Sequence, residues 1–367
     1  MHEGYIYRGR GEPHDGIERL PEPPPWRDMR GRGGFEGGEH VRPVGTRAHT
    51  YRATEATVQS VNAALMLRRP LLVTGPPGSG KSSLAYHIAH ELRLGRVLQW
   101  PITSRSTLKD GLYSYDAIGR LQEAGLAASG RSSRSSREPV MSDGPRSVHD
   151  DELRPEQPDI GAFIRLGPLG TALLPVERPR VLLIDEIDKS DIDLPNDLLH
   201  VFENGEFVIP ELARASRTTP TTRVHTDDGR TGPGDGTAAI TGGWVGCTTF
   251  PVVILTSNGE RDFPPAFLRR CIRLDLPSPD TGRLAEIVQA HLGNEGVSRG
   301  AGLIEEFVER RANGTLSTDQ LLNAVYLLLG DGTSETQAEL LKQVLKERFV
   351  PTGVLHCSSG GGPLRAG

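Results

Sequence analysis

Gly75-Pro76-Pro77-Gly78-Ser79-Gly80-Lys81-Ser82-Ser83 packs three glycines, a lysine and three serines into nine residues. The spacing Gly-x-x-x-x-Gly-Lys-Ser suits a phosphate. Glycines accept backbone angles that side chains forbid, successive N–H groups then point inward, and a following helix adds its N-terminal dipole. Lys81 would reach the β- and γ-phosphates, and Ser82 would hold Mg²⁺ through its hydroxyl. A second stretch, LLIDEIDKSDID (182–193), turns abruptly from apolar residues to Asp185, Glu186, Asp188, Asp191 and Asp193. Paired with a phosphate loop, Asp185 suits Mg²⁺ bound through water, and Glu186 suits orienting and deprotonating an attacking water. Asp191 and Asp188 read more simply as caps of the next helix.

Such chemistry requires both segments at one end of a sheet. PLLVTG, just before the loop, has the continuous apolar character of a buried parallel strand, and LAYHIAHELRLG after it reads as an amphipathic helix ending at Gly95. ATVQSVNAALMLRR, upstream, has helical spacing. VLLID is expected to be the strand beside the loop's strand, its carboxyl end opening where ligands bind in an open α/β sheet. The fold class is therefore α/β, a parallel sheet flanked by helices. After LPSPDTGR, helical patterns replace strand patterns up to about residue 350.

Composition marks the boundaries. Residues 1–48 are rich in Gly, Pro, Arg and Glu and too poor in apolar side chains to offset the entropy of ordering, so they read as an unstructured arm. Residues 128–159 and 216–243 look similar but interrupt patterned sequence, and read as loop insertions. The expected organisation is an arm (1–48), a large α/β nucleotide-binding domain (49–278), a small all-α domain (279–350) and a loose tail (351–367).

The 42 Lys plus Arg against 47 Asp plus Glu, net −5, argue against a chain dominated by nucleic-acid or anionic-membrane binding. Cys247, Cys271 and Cys357 fit neither a zinc spacing nor a disulfide framework, which suits a reducing compartment. No apolar run approaches the roughly 20 residues of a membrane helix, and the N-terminal stretch has no apolar signal core. A cytoplasmic location is expected.

GPPGSGKS, LLIDEIDKS, VVILTSN and FPPAFLRRC, in that order, resemble the AAA+ ATPases, and DEIDKSDIDLPNDLLHVFENGEF resembles their MoxR-like branch. The resemblance covers about residues 49–350. It implies a P-loop NTPase fold with a helical lid, ATP and Mg²⁺ as cofactors, and hydrolysis. It makes Asn258 the sensor 1 residue that positions the lytic water, and Arg270 the arginine finger, with Arg269 as the neighbouring alternative. A finger acts on a nucleotide held by the next subunit, so the resemblance implies a homo-oligomeric ring, expected to be a hexamer. Cys271 beside it reads as packing.

The sequence also departs from that family. Where many relatives carry a sensor 2 arginine, it has Thr318, Asp319 and Gln320 in GTLSTDQLLNAVYLLL, which points to slow or partner-dependent turnover. Thr103 or Ser104 would report nucleotide state at a strand end. ENGEFVIPEL with GGWVGCTTF reads as a hairpin-like insertion ahead of sensor 1. Three functions follow. The first, implied by the resemblance, is an ATPase that remodels or activates a protein client, such as a von Willebrand factor A-domain or bacterial conflict-system protein. The second is a nucleotide-dependent switch or scaffold with little turnover, favoured by the missing arginine and opposed by the intact Glu186. The third is a small-molecule enzyme or nucleic-acid motor, opposed by the lack of a basic, aromatic-interleaved stretch. Neither membrane nor nucleic acid is an expected partner.

Overall fold

The computed structural model describes residues 5–20, 51, 53–132, 159–228, 236–311 and 318–329. The chain forms two compact units, Met1–Ser278 and Pro279–Gly367. In chain order the first contains α1 (Glu55–Leu67), β1 (Leu71–Thr74), α2 (Lys81–Glu91), β2 (Leu98–Pro101), α3 (Leu108–Leu112), β3 (Tyr113–Tyr115) and α4 (Ala117–Ser132). It continues with β4 (Ile164–Leu166), α5 (Pro168–Ala172), β5 (Val181–Asp185), α6 (Leu194–Asn204), β6 (Glu206–Val208), α7 (Pro210–Ala215), β7 (Thr221–His225) and β8 (Thr237–Thr241). It closes with β9 (Trp244–Gly246), β10 (Val252–Ser257), α8 (Pro265–Leu268) and β11 (Ile272–Asp275).

Five strands form a parallel sheet in the order β11-β1-β10-β5-β2. The register sets Thr74 beside Ser257 and Leu255 beside Ile184, so β1, β10 and β5 end together. β5 does not lie beside β1 as its sequence suggested, because β10 is inserted between them. The reason is burial. VVILTS has five of its six residues fully buried, which suits a strand flanked on both edges and covered on both faces.

Alternation along the strands divides the interior in two. Leu72, Leu98, Leu182, Ile184, Val253 and Leu255 face one core. Leu71, Val73, Val181, Leu183 and Ile254 face the other, against Val58, Val61, Leu84 and Ile88 of α1 and α2. α1 starts where Thr54 accepts the Thr57 N–H and stops at Arg68 in the left-handed region.

The first core also holds a second, four-stranded sheet, β3-β4-β7-β8, through Tyr113, Ile164, Leu166, Val224 and Ile240. Thus residues 216–243 are not a simple loop insertion. They carry an antiparallel β7–β8 pair with His225 opposite Thr237, nested inside the antiparallel pairing of β6 with β9. Alternating burial in TTRVH and TAAIT, with Thr222, Val224, Ala238 and Ile240 inward, is what orders them.

Residues 5–20 also differ from the expected unstructured arm. Ile6, Tyr7 and Ile17 are buried in the second core, and a short 3₁₀ turn spans Gly16–Arg19. Composition missed this because the order comes from side chains on α1 and α2, far along the chain. The rest of that arm up to residue 48, residues 133–158 of the first insertion and the tail lie outside the described residues.

The second unit contains α9 (Thr281–Arg311), broken at Gly293, and α10 (Thr318–Leu329). They pack through Leu284, Val288, Ile304, Phe307, Leu321 and Val325. Gly300 allows the approach, since a Cβ there would sit 2.9 Å from Val325 Cγ2.

Candidate nucleotide site

The loop of residues 75–80 leaves β1 and enters α2, as the strand–loop–helix reading requires. Gly75 has φ +146°, and a Cβ there would meet the Leu276 carbonyl at 2.4 Å, so the turn accepts only glycine. Gly80, at φ +89°, starts α2. Pro76 and Pro77 shape the bend, closed by a Ser79 N–H bond to the Pro76 carbonyl, and Gly78 also has positive φ, at +76°. Lys81 is 7% exposed, and its ammonium donates to the carbonyls of Gly75 and Pro76, both at 2.8 Å. Burial pushes its pKa below the usual lysine value, and the negative charges of Asp188, Asp185 and Glu186 oppose that shift. Ser82 and Ser83 follow in the first turn of α2.

Ser82 Oγ donates to Asp185 Oδ1 at 2.7 Å, joining loop and acidic segment. The same Oδ1 accepts from Thr256 Oγ1 at 2.6 Å, and Thr256 Oγ1 in turn accepts the Glu186 N–H at 2.8 Å. Thr256 is buried on β10, so that strand fixes both acidic residues. Glu186 is held in the left-handed region, φ +61°, a conformation costing about 1–3 kcal/mol for such a residue and sustained by this bond. Its carboxylate pairs with Lys189 at 2.7 Å, which raises the Lys189 pKa.

Asp188 is more than a helix cap. It is 2% exposed, and its Oδ2 accepts the N–H groups of Asn258 at 2.8 Å and Glu260 at 3.1 Å. It therefore anchors the turn that carries Asn258. Thr256 had no expected role from the sequence, and Asp188 was expected only as a helix cap. The signal for Thr256 was a hydroxyl closing the apolar run VVIL, two positions before Asn258. Asp191 bonds its own neighbour, the Ile192 N–H, and α6 has no side-chain cap from Asp193.

Arg270 is not brought to this cluster within its own chain. Its guanidinium pairs with Glu203 of α6 and donates to the Ala266 carbonyl. Arg269 is exposed, and its carbonyl accepts from Arg69. Thr103 bonds Ser106 in a turn beyond β2. Cys271 is buried, and burial pushes its thiol up to about 12, so it packs and does not react. α10 contains no arginine or lysine.

The residues fit a Mg²⁺–nucleotide. Ser79 Oγ and Asp188 Oδ1 are buried without a protein partner, and the Lys81 ammonium lies on the loop carbonyls of Gly75 and Pro76. A hard cation held mainly by phosphate oxygens needs only one or two protein oxygens, and Ser82 and Asp185 can supply them. Among the described residues no helix is long and apolar enough to cross a membrane.

Comparison with known proteins agrees with this geometry. No curated protein matches the chain. A family model described as AAA domain, dynein-related subfamily, matches residues 70–271, more than half the chain, from the start of β1 through the Arg270 turn. The chain belongs to the AAA domain family, in its dynein-related subfamily.

Proposed function

We propose that this chain is a Mg²⁺-dependent, MoxR-like ATPase that works as a homo-oligomeric ring and couples ATP turnover to remodelling or activation of a protein client. The observation that carries the reading is the bonded chain Ser82–Asp185–Thr256–Glu186, which ties the phosphate loop, the acidic segment and the sensor strand into one unit.

In this reading the loop N–H groups and Lys81 bind the phosphates of ATP. Lys81 leaves the Gly75 and Pro76 carbonyls for them, replacing neutral partners with a charged one. Ser82 and Asp185 are the residues that would hold Mg²⁺, which would supply positive charge at the phosphates. Glu186 leaves Lys189, orients a water and takes its proton, while Asn258, on the turn anchored by Asp188, helps to position that water. Arg270 acts on the nucleotide of the neighbouring subunit after leaving Glu203. A cytoplasmic setting suits the buried cysteine thiols of Cys247 and Cys271, neither of which is in a disulfide. Support for a protein client comes from α4, which exposes Ile118, Leu121 and Leu126 beside the second sheet. The identity of that client, a von Willebrand factor A-domain or conflict-system protein, rests on resemblance alone.

A switch with little turnover is the second reading, favoured by the absence of a basic residue in α10. ATP turnover per subunit, followed against protein concentration, separates the two. A ring with shared sites gives specific activity that rises with concentration; flat background activity from a chain that still binds ATP favours the switch.

A further inference from the structure

Residues 6–11 lie along α1 and α2 and are held by side chains committed to their backbone. Asn62, buried on α1, accepts the N–H groups of Ile6 and Tyr7 at 2.9 and 3.2 Å and donates to the Tyr7 carbonyl at 2.8 Å. Glu91 is fully buried at the end of α2, and its carboxylate accepts the N–H groups of Arg8, Gly9 (3.0 Å) and Gly11 (2.8 Å), with His14 Nε2 at 3.5 Å. A buried carboxylate needs such donors, so peeling the strap away would strand its charge. Gly9 fits only as glycine: its φ is +70°, and a Cβ would lie 2.5 Å from Ala53 Cβ.

The strap also reaches toward the phosphate loop. Tyr7 is fully buried, and its hydroxyl is 2.8 Å from His87 Nδ1 on α2. The His87 ring lies 5.3 Å from the Tyr51 ring, centroid to centroid. Tyr51 lies against Gly80, where a Cβ would be 3.3 Å from Tyr51 Cε2. Gly80 is followed directly by Lys81 and Ser82. One packed series, Tyr7–His87–Tyr51–Gly80, thus links the strap to the residues that would grip phosphate.

We infer that residues 6–11 are a positioning element for the nucleotide site, holding Tyr51 on Gly80 and fixing α2 so that Lys81 and Ser82 are preorganised. The inference rests on the reading of residues 75–83 as a nucleotide site. Preorganisation raises affinity by lowering the ordering cost of binding. Linkage then demands the reciprocal effect, that bound nucleotide tightens the strap.

The test uses the full chain, Mg²⁺ and a non-hydrolysable ATP analogue. Affinity is measured by calorimetry for wild type, Tyr7→Phe and Glu91→Gln, with Lys81→Ala as the non-binding control. Residues coupled to a site without touching its ligand shift affinity by roughly 2- to 30-fold, and the dissociation constants of both strap variants are expected to rise within that range. Amide hydrogen exchange on wild type needs no variant to fold. Nucleotide should slow exchange at Arg8, Gly9 and Gly11 more than at Ala239 in β8, a difference that a strap serving stability alone would not show. Folded variants with wild-type affinity, or unchanged exchange at those three amides, would overturn the inference. If wild type itself bound no nucleotide, the phosphate-loop reading would fall, and this inference with it.

Discussion

Ser82 on α2 and Asp185 at the end of β5, 103 positions apart, meet through a 2.7 Å hydrogen bond. The bond matters because neither residue is useful alone to a divalent cation: a hydroxyl is a weak ligand, and a single carboxylate at a strand end has no defined direction. Held together, they mark one point in space beside Lys81. Thr256 extends that point to the backbone of Glu186, so the proposed cation-binding pair and the proposed base are one bond network with the threonine at its centre.

Thr256→Val tests the centre of that network. The substitution keeps the shape of a buried β-branched residue but deletes the bonds to Asp185 and Glu186. Leaving the Glu186 N–H without its partner should cost about 1–3 kcal/mol of stability. The turnover number should fall about tenfold or more while affinity for ATP changes little, because the phosphate contacts are untouched. Steady-state kinetics with a parallel binding titration checks the split; a loss confined to affinity would contradict it.

Arg270 should act between subunits. Arg270→Ala is expected to lower turnover by about 10³-fold, in the range for a finger that stabilises transition-state charge. Rings mixed from Arg270→Ala and Glu186→Gln subunits should recover part of the activity, because some interfaces then pair an intact Glu186 with an intact Arg270. No recovery in verified mixed rings would place the arginine outside the shared site. Glu203→Ala, which frees the guanidinium from α6, should leave turnover intact or raise it.

Alkaline pH should loosen the join between the second sheet and α7. Burial and the hydrogen bond to Glu211 push the Tyr113 phenol from its ordinary 10.0 up to about 12. The folded chain therefore holds this proton more tightly than the unfolded chain. The resulting stability is fully present below about pH 10 and is lost as pH rises toward about 12. Melting temperatures across that window should fall less steeply for Tyr113→Phe than for wild type. Equal slopes would mean that Tyr113 ionises freely in the folded protein.

How much of this was legible beforehand depends on how local each constraint is. The phosphate loop carries its own explanation, since Gly75, Gly80 and Lys81 are close in sequence and each has a backbone or charge reason to be there. The abrupt change at Asp185 likewise signalled a strand end. Strand order was not legible: VLLID and VVILTS both read as buried strands, and only their packing decides which lies beside β1. The strap at residues 6–11 was invisible because its glycine-rich composition reads as unstructured, whereas its order comes from Asn62 and Glu91, 55 and 83 positions away from Tyr7 and Arg8. The β7–β8 pair was hidden for a related reason, because its threonines and alanines are weakly apolar and gain burial only against β4 and the central core. Asp188 read as a helix cap because an acid near a helix start is usual, and its partners Asn258 and Glu260 are about 70 positions further on.

The most direct test of the central claim is ATP turnover with Mg²⁺ in wild type and Glu186→Gln, each with a binding titration. The substitution keeps the side chain's size and removes only its capacity to take a proton. The account predicts that both proteins bind ATP with similar affinity and that turnover falls by about 10²–10⁴-fold in the variant, the usual contribution of a general base. Equal turnover in the two proteins would contradict it, because the water would then be activated by some group other than Glu186.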